Sequence, residues 1–252
     1  MKTLRFTKPL LTALCLLSAL NLTLQAQSNQ QPHTNLRFLF LDESPGLYYL
    51  KVDEDFQNLS TRPYAISKPI KARASDEIEI YKEFPDQLTE SGKAIRIKVT
   101  TVSPPINTVS SLAVIAPRPS KFPESTIPSY ATRFYNSNPE EFPPKSIRIL
   151  NLNNNPVVAQ FGEQRVAIAA GGEEIIEPDT DTRNRLIYKI ATRNNEDDWK
   201  LRYNNMMIIR PEERITGILV YSPSGMRHTY TEAELRDLGE PEPGIFWLTY
   251  TD

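Results

Sequence analysis

Ala94-Ile95-Arg96-Ile97-Lys98-Val99-Thr100-Thr101-Val102 carries the period of an extended chain. Ile95, Ile97 and Val99 fall on one side, Arg96 and Lys98 on the other, because successive side chains of a strand point to opposite faces. One apolar face and one charged face describe a half-buried antiparallel strand. Reading outward, residues 36–41, 47–52, 77–81 and 109–116 are further apolar runs of strand length. Residues 146–152, 156–161, 165–169, 173–176, 186–191, 199–203, 206–209 and 215–221 continue the series. Short strands spaced at about ten residues and bounded by Pro, Asn, Asp and Ser are the pattern of a sandwich or barrel. Asn153-Asn154-Asn155 and Gly171-Gly172 are natural turns, since Asn and Gly tolerate positive φ.

The two halves match locally. Residues 36–41 parallel 147–152 at an offset of 111, which Pro45 and Pro156 share. Tyr81-Lys82 parallels Tyr188-Lys189 at 107, Ile95–Lys98 parallels Trp199–Arg202 at 104, and Leu112–Pro117 parallels Ile218–Pro223 at 106. Five matches in order point to a duplicated unit. Between the halves, residues 117–145 hold seven prolines, which excludes a helix or a central strand there. An extended spacer is expected, with residues 130–135 offering an edge strand to the second half. The expected fold is all-β: two tandem immunoglobulin-like antiparallel β-sandwich domains with a short C-terminal helix and a terminal strand. The expected boundaries are signal peptide 1–26, flexible leader 27–35, sandwich 36–117, Pro-rich linker 118–145, sandwich 146–223 and extension 224–252.

The run Ile147-Arg148-Ile149-Leu150-Asn151-Leu152, followed by Pro156-Val157-Val158, Gly162 and Ala170-Gly171-Gly172, resembles the opening of small immunoglobulin-like repeats. Such tandem repeats occur in uncharacterised exported bacterial proteins. The resemblance implies a sandwich fold and an envelope location, and carries over no catalytic residue.

Composition bounds the rest. The 252 residues include 29 Lys+Arg and 31 Asp+Glu, 21 prolines, 9 glycines, 1 cysteine and 2 histidines. This excludes a collagen, a polytopic membrane protein and a wholly disordered chain. No basic excess is present to neutralise phosphates, so nucleic acid is not an expected partner. Residues 1–26 have Lys2, Arg5 and Lys8 but no acid, then an apolar run over 9–24. That is the order of a secretory signal peptide, and the run is short of the ~20 apolar residues a membrane anchor needs. Leu14 before Cys15 argues against a lipid anchor. Cleavage after Ala26 removes those three bases and the only cysteine, leaving 26 bases against 31 acids. The expected product is thiol-free, periplasmic or extracellular, and without a membrane span.

The chain offers little reactive chemistry. No G-x-S-x-G, H-E-x-x-H or P-loop pattern is present. His33 falls in the expected leader and His228 stands alone before the helix, so neither a triad nor a zinc site has its parts. Asp179, Asp181 and Asn184 are a calcium candidate, against the simpler reading of a polar turn. Asp53-Glu54-Asp55 and the acidic run 194–198 read as hairpin connections. No cofactor is implied. Thr231-Glu232-Ala233-Glu234 has the spacing of a capping box, with Gly239 as a helix stop. Ile245, Phe246, Trp247, Leu248 and Tyr250 form an apolar terminal strand that packs in cis or adds to a partner's sheet. Trp199 and Trp247 could instead present a sugar-stacking platform. The expected role is non-catalytic interaction or assembly with an envelope protein, with polysaccharide binding as the alternative.

Overall fold

The computed structural model describes residues 33–44, 46–52, 54–60, 63–118, 129–193 and 198–251. The first half contributes β1 (His33–Phe40), β2 (Tyr48–Val52), β3 (Asp55–Ser60), β4 (Ile70–Arg73), β5 (Ile78–Leu88), β6 (Ala94–Val102), β7 (Ser110–Arg118) and β8 (Ser129–Asn136). The second contributes β9 (Ile147–Asn151), β10 (Val157–Phe161), β11 (Gln164–Ile168), β12 (Glu173–Ile176), β13 (Arg185–Arg193), β14 (Trp199–Ile208), β15 (Ile215–Ser222) and β16 (Gly244–Thr251). A 3-10 turn (Arg227–Thr229) and helix α1 (Glu232–Leu238) lie between β15 and β16. Among the described residues no helix is long and apolar enough to cross a membrane.

Among the described residues, four sheets of four strands form two sandwiches. The first pairs β4-β1-β7-β8 with β3-β2-β5-β6, the second β12-β9-β15-β16 with β11-β10-β13-β14. Adding eight to each strand number converts one half into the other. The all-β class is as expected. Each half also holds one parallel pair, β1 with β7 and β9 with β15. Parallel neighbours need a long crossover, and here the intervening strands supply it.

Three cores stack the sheets into four layers. Leu36, Phe38, Phe40 and Ile115 meet Tyr48, Leu50, Ile78 and Ile80 inside the first sandwich. Ile147, Ile149, Ile215 and Leu219 meet Phe161, Leu186, Tyr188 and Ile190 inside the second. The third core joins the halves: Leu39, Leu112, Val114 and Tyr135 pack on Leu150, Ile218, Val220 and Phe246. Strands β1, β7, β9 and β15 are therefore covered on both faces, which explains why they read as unbroken apolar runs. Each fully buried Leu, Ile or Phe there contributes roughly 1.5–3 kcal/mol.

Several boundaries differ from expectation. His33, Asn35 and Thr34 belong to β1, where they register with β4, so the leader does not reach residue 35. His33 accepts a hydrogen bond from Arg73 Nε at 3.4 Å. Residues 1–32, with the expected signal segment, lie outside the described residues, as do Pro45, Asp53 and 194–197. Within the expected linker, β8 is an edge strand paired with β7 in the first half, not the second. Its hydroxyl- and aromatic-rich sequence tolerates the pleat despite the flanking prolines. Further on, Phe142 is fully buried between the guanidiniums of Arg148 and Arg214, at 4.3 and 5.2 Å. The 224–252 segment is not an appendage either. β16 registers with β15 over all eight residues and is the counterpart of β8. Helix α1 has the expected capping box, Thr231 with Glu234, and ends at Gly239. Residues 199–203 and 206–209, read as two strands, form one strand with a register shift opposite Ile190 and Ala191.

Candidate functional site

The terminal strand splits its side chains between two cores. Ile245 and Trp247 turn into the second sandwich, where the indole lies 6.4 Å from Phe161 and 6.2 Å from Tyr188. Phe246, Leu248 and Tyr250 turn toward the first half. The period of two forces this division. The five residues expected to bind a partner therefore pack against this chain's own cores, and Phe246, Leu248 and Tyr250 are the set on the side of the first half.

A groove of about 540 Å³ runs where the halves meet. Its walls are Pro63 and Tyr64 from the β3–β4 connection, Met226, His228 and Tyr230 around the 3-10 turn, and β16 from Phe246 to Tyr250. Clefts at domain junctions commonly take ligands. Tyr64 is fixed from every side. Its N–H donates to Phe40 O at 3.2 Å, its hydroxyl donates to Glu43 Oε1 at 2.5 Å, and its carbonyl accepts from the Tyr250 hydroxyl. Its ring stacks on His228 at 5.6 Å and 29°. Tyr64 sits at φ 55 and Met226 at φ 62, a left-handed region that costs a residue with a Cβ on the order of 1–2 kcal/mol. Two residues strained at one rim show that the surrounding contacts dictate the shape of this junction.

Glu43 ties the halves beside the groove. Its other oxygen accepts from Ser224 N at 3.2 Å. Burial pushes its carboxyl up, but hydrogen bonds from Ser222, Ser224 and Tyr64 outweigh that and hold it below the ordinary glutamate value. Burial first, and then Glu43, push the Tyr64 phenol up. Both groups are thus locked in the states that bond to each other. The walls present aromatic faces, with the Tyr64 and Tyr250 hydroxyls already engaged.

Beside the groove, β16 is an edge strand with β15 as its partner. The Tyr203 hydroxyl donates to Ile245 O at 3.1 Å and accepts from Trp247 N at 2.9 Å. These are backbone groups that point away from β15. Alternate residues of an antiparallel strand aim their backbone groups to the same side, so Thr249 and Thr251 also face outward, beyond the reach of Tyr203.

The remaining sequence candidates stand apart. Trp199 is exposed on the outer face of β14, opposite Arg193, while Trp247 lies inside the sandwich. The two tryptophans do not form a common platform, because the sheet itself separates them. Asp181 is taken up by its own turn. Its Oδ1 accepts from Arg183 N and Arg185 N at 2.8 and 2.9 Å, and its Oδ2 pairs with Arg185 at 2.7 Å. Asn184, at φ 59, closes that turn. Bonds to arginine hold the Asp181 carboxyl low, and they occupy the lone pairs calcium would need.

No family model matches the chain, and no curated protein matches its sequence.

Proposed function

We propose that this chain is an exported, non-catalytic interaction protein of the bacterial envelope, and that it receives an extended segment of a protein partner along β16. The observation that carries this reading is the pairing of an aromatic-walled groove with the outward backbone of Thr249 and Thr251. A peptide laid there gains main-chain hydrogen bonds from the strand and side-chain contacts from Tyr64, Tyr230 and Phe246. The basic, then apolar amino terminus and the resemblance of residues 147–172 to exported repeats support the compartment.

The test is affinity capture from the native envelope extract with the wild-type chain and with Thr249→Pro. Proline removes one outward N–H and is tolerated on the solvent side of an edge strand. Capture of a protein that is lost with Thr249→Pro at unchanged thermal stability supports the reading. Capture indifferent to Thr249→Pro, or retention on a polysaccharide column through the groove's aromatic faces, contradicts it.

A further inference from the structure

The outer face of the sheet β10, β11, β13 and β14 carries four cations, Arg165, Arg185, Lys189 and Arg193, and its strands contain no acid, whereas Lys200 and Arg202 lie on the side of the inward Thr192. This is unusual in a chain whose acids outnumber its bases. The same sheet exposes apolar bulk. Ile187, Trp199, Leu201, Met206 and Ile208 are each between 49% and 62% exposed. Register places them together on the outer face: Ile187 is opposite Met206, Arg185 opposite Ile208, Ala191 opposite Leu201 and Arg193 opposite Trp199. Lys189 sits in the middle of this face, across Gln160 from Arg165. Rim acids temper one end, where Asp181 holds Arg185, and Asp198 closes the other.

The equivalent face of the first half is self-satisfied. There Phe56 packs edge-on against Tyr49 and Tyr81, and Arg96 lies 4.1 Å above Tyr49. Glu79 pairs with Lys98 at 2.9 Å and Glu83 with Arg96 at 3.0 Å. Both halves share this sheet's strand order, yet one outer face pairs its charges and rings with each other while the other is basic and exposes aliphatic side chains. Exposed apolar side chains gathered on one face mark a contact surface.

We infer that the outer face of β10, β11, β13 and β14 rests on an anionic lipid surface. Charge selects an acidic occupant, because a second copy stacked face to face would set cation against cation. The aliphatic character of Ile187, Leu201, Met206 and Ile208 selects lipid over glycan, since sugars need stacking rings and hydrogen bonds. Cations meet headgroup phosphates while Trp199 and the aliphatics enter the headgroup–acyl boundary. This surface is separate from the β16 groove, so a membrane-resting chain keeps its groove available.

The test is co-sedimentation of the chain as recovered after export. It is mixed with phosphatidylcholine vesicles, either alone or containing phosphatidylglycerol. Binding only to the anionic vesicles, weakened by salt, is expected. Two variants, Arg165→Glu with Lys189→Glu, and Leu201→Ser with Met206→Ser, should each bind at least about tenfold more weakly while melting like wild type. The charge pair lies wholly on the surface and keeps the test decisive should the apolar pair fold poorly. Absence of vesicle binding, equal binding to neutral vesicles, indifference to the substitutions, or retention on polygalacturonate in place of vesicles would each overturn the inference.

Discussion

Lys82 Nζ lies 2.7 Å from Asp42 Oδ2 in the core of the first sandwich, with Lys82 wholly buried and Asp42 nearly so. The hydroxyls of Tyr48 and Tyr130 donate to the same oxygen at 2.7 and 2.6 Å, and Ser44 N donates to Oδ1 at 2.9 Å. Asp42 follows β1 and Lys82 lies in β5, so the pair bolts one sheet to the other. Lys82→Ala should cost about 3–5 kcal/mol in urea unfolding, because it strands a buried carboxylate. Replacing both partners, Lys82→Met with Asp42→Leu, should cost less than the two single changes combined. Strict additivity would show that the charges do not interact.

Acid should unfold the protein through the same carboxylate. Burial raises the Asp42 carboxyl, but hydrogen bonds from Lys82, Ser44, Tyr130 and Tyr48 overcome that and hold it far below the ordinary aspartate range. A depressed folded value means that its contribution is complete above the unfolded value, near ~4, and drains away as pH falls below it. Glu43 acts in the same direction. Melting temperature measured against pH should drop below about pH 4, and Asp42→Asn should flatten that limb while lowering the neutral plateau. A limb of unchanged slope would remove Asp42 from the explanation.

Gly217 and Trp247 share one space. A Cβ at Gly217 would overlap the Trp247 six-membered ring, so Gly217→Ala should destabilise the second sandwich by about 1–3 kcal/mol through overpacking. Pairing it with Trp247→Leu should recover part of the loss. Fluorescence gives an independent check. Trp199 should be open to iodide and Trp247 shielded, so Trp199→Phe should abolish most of the quenching. Quenching that survives Trp199→Phe would place Trp247 at the surface.

Deleting residues 244–252 should do more than remove a binding element. β16 supplies Trp247 and Ile245 to one core and Phe246 and Leu248 to another. The truncated chain should lose the cooperative unfolding of the second half, seen as exchange of the β9 and β15 amides. A truncated chain with native exchange there would make β16 dispensable.

The sequence was most legible where burial follows a simple rule. At offset 111, Leu36 and Ile147 both face a sandwich core while Leu39 and Leu150 both face the third core. Leu112 and Ile218 agree in the same way at 106. The matches at 107 and 104 slip by one residue. Lys82 is buried where Lys189 is exposed, and Arg96 points outward where Lys200 replaces an outward Trp199 or Leu201. A one-residue slip reverses every side chain of a strand, and half-buried outer strands carry too little pattern to prevent it. β3 and β4 escaped notice because Asp55-Phe56-Gln57-Asn58 and Ile70-Lys71-Ala72-Arg73 are short polar edges. The groove was illegible because Tyr64, Tyr230 and Phe246 are far apart in sequence and meet only through the stacking of the halves. Tyr64 gives no local sign of its left-handed backbone, which Phe40, Glu43 and Tyr250 impose from a distance.

Amide hydrogen exchange of β16 in the captured complex tests the functional reading most directly. The amides of Thr249 and Thr251 should slow on binding while those of the first sandwich's outer sheet stay unchanged. Protection confined to other strands, with Thr249 and Thr251 exchanging as in the free chain, would contradict docking along this edge.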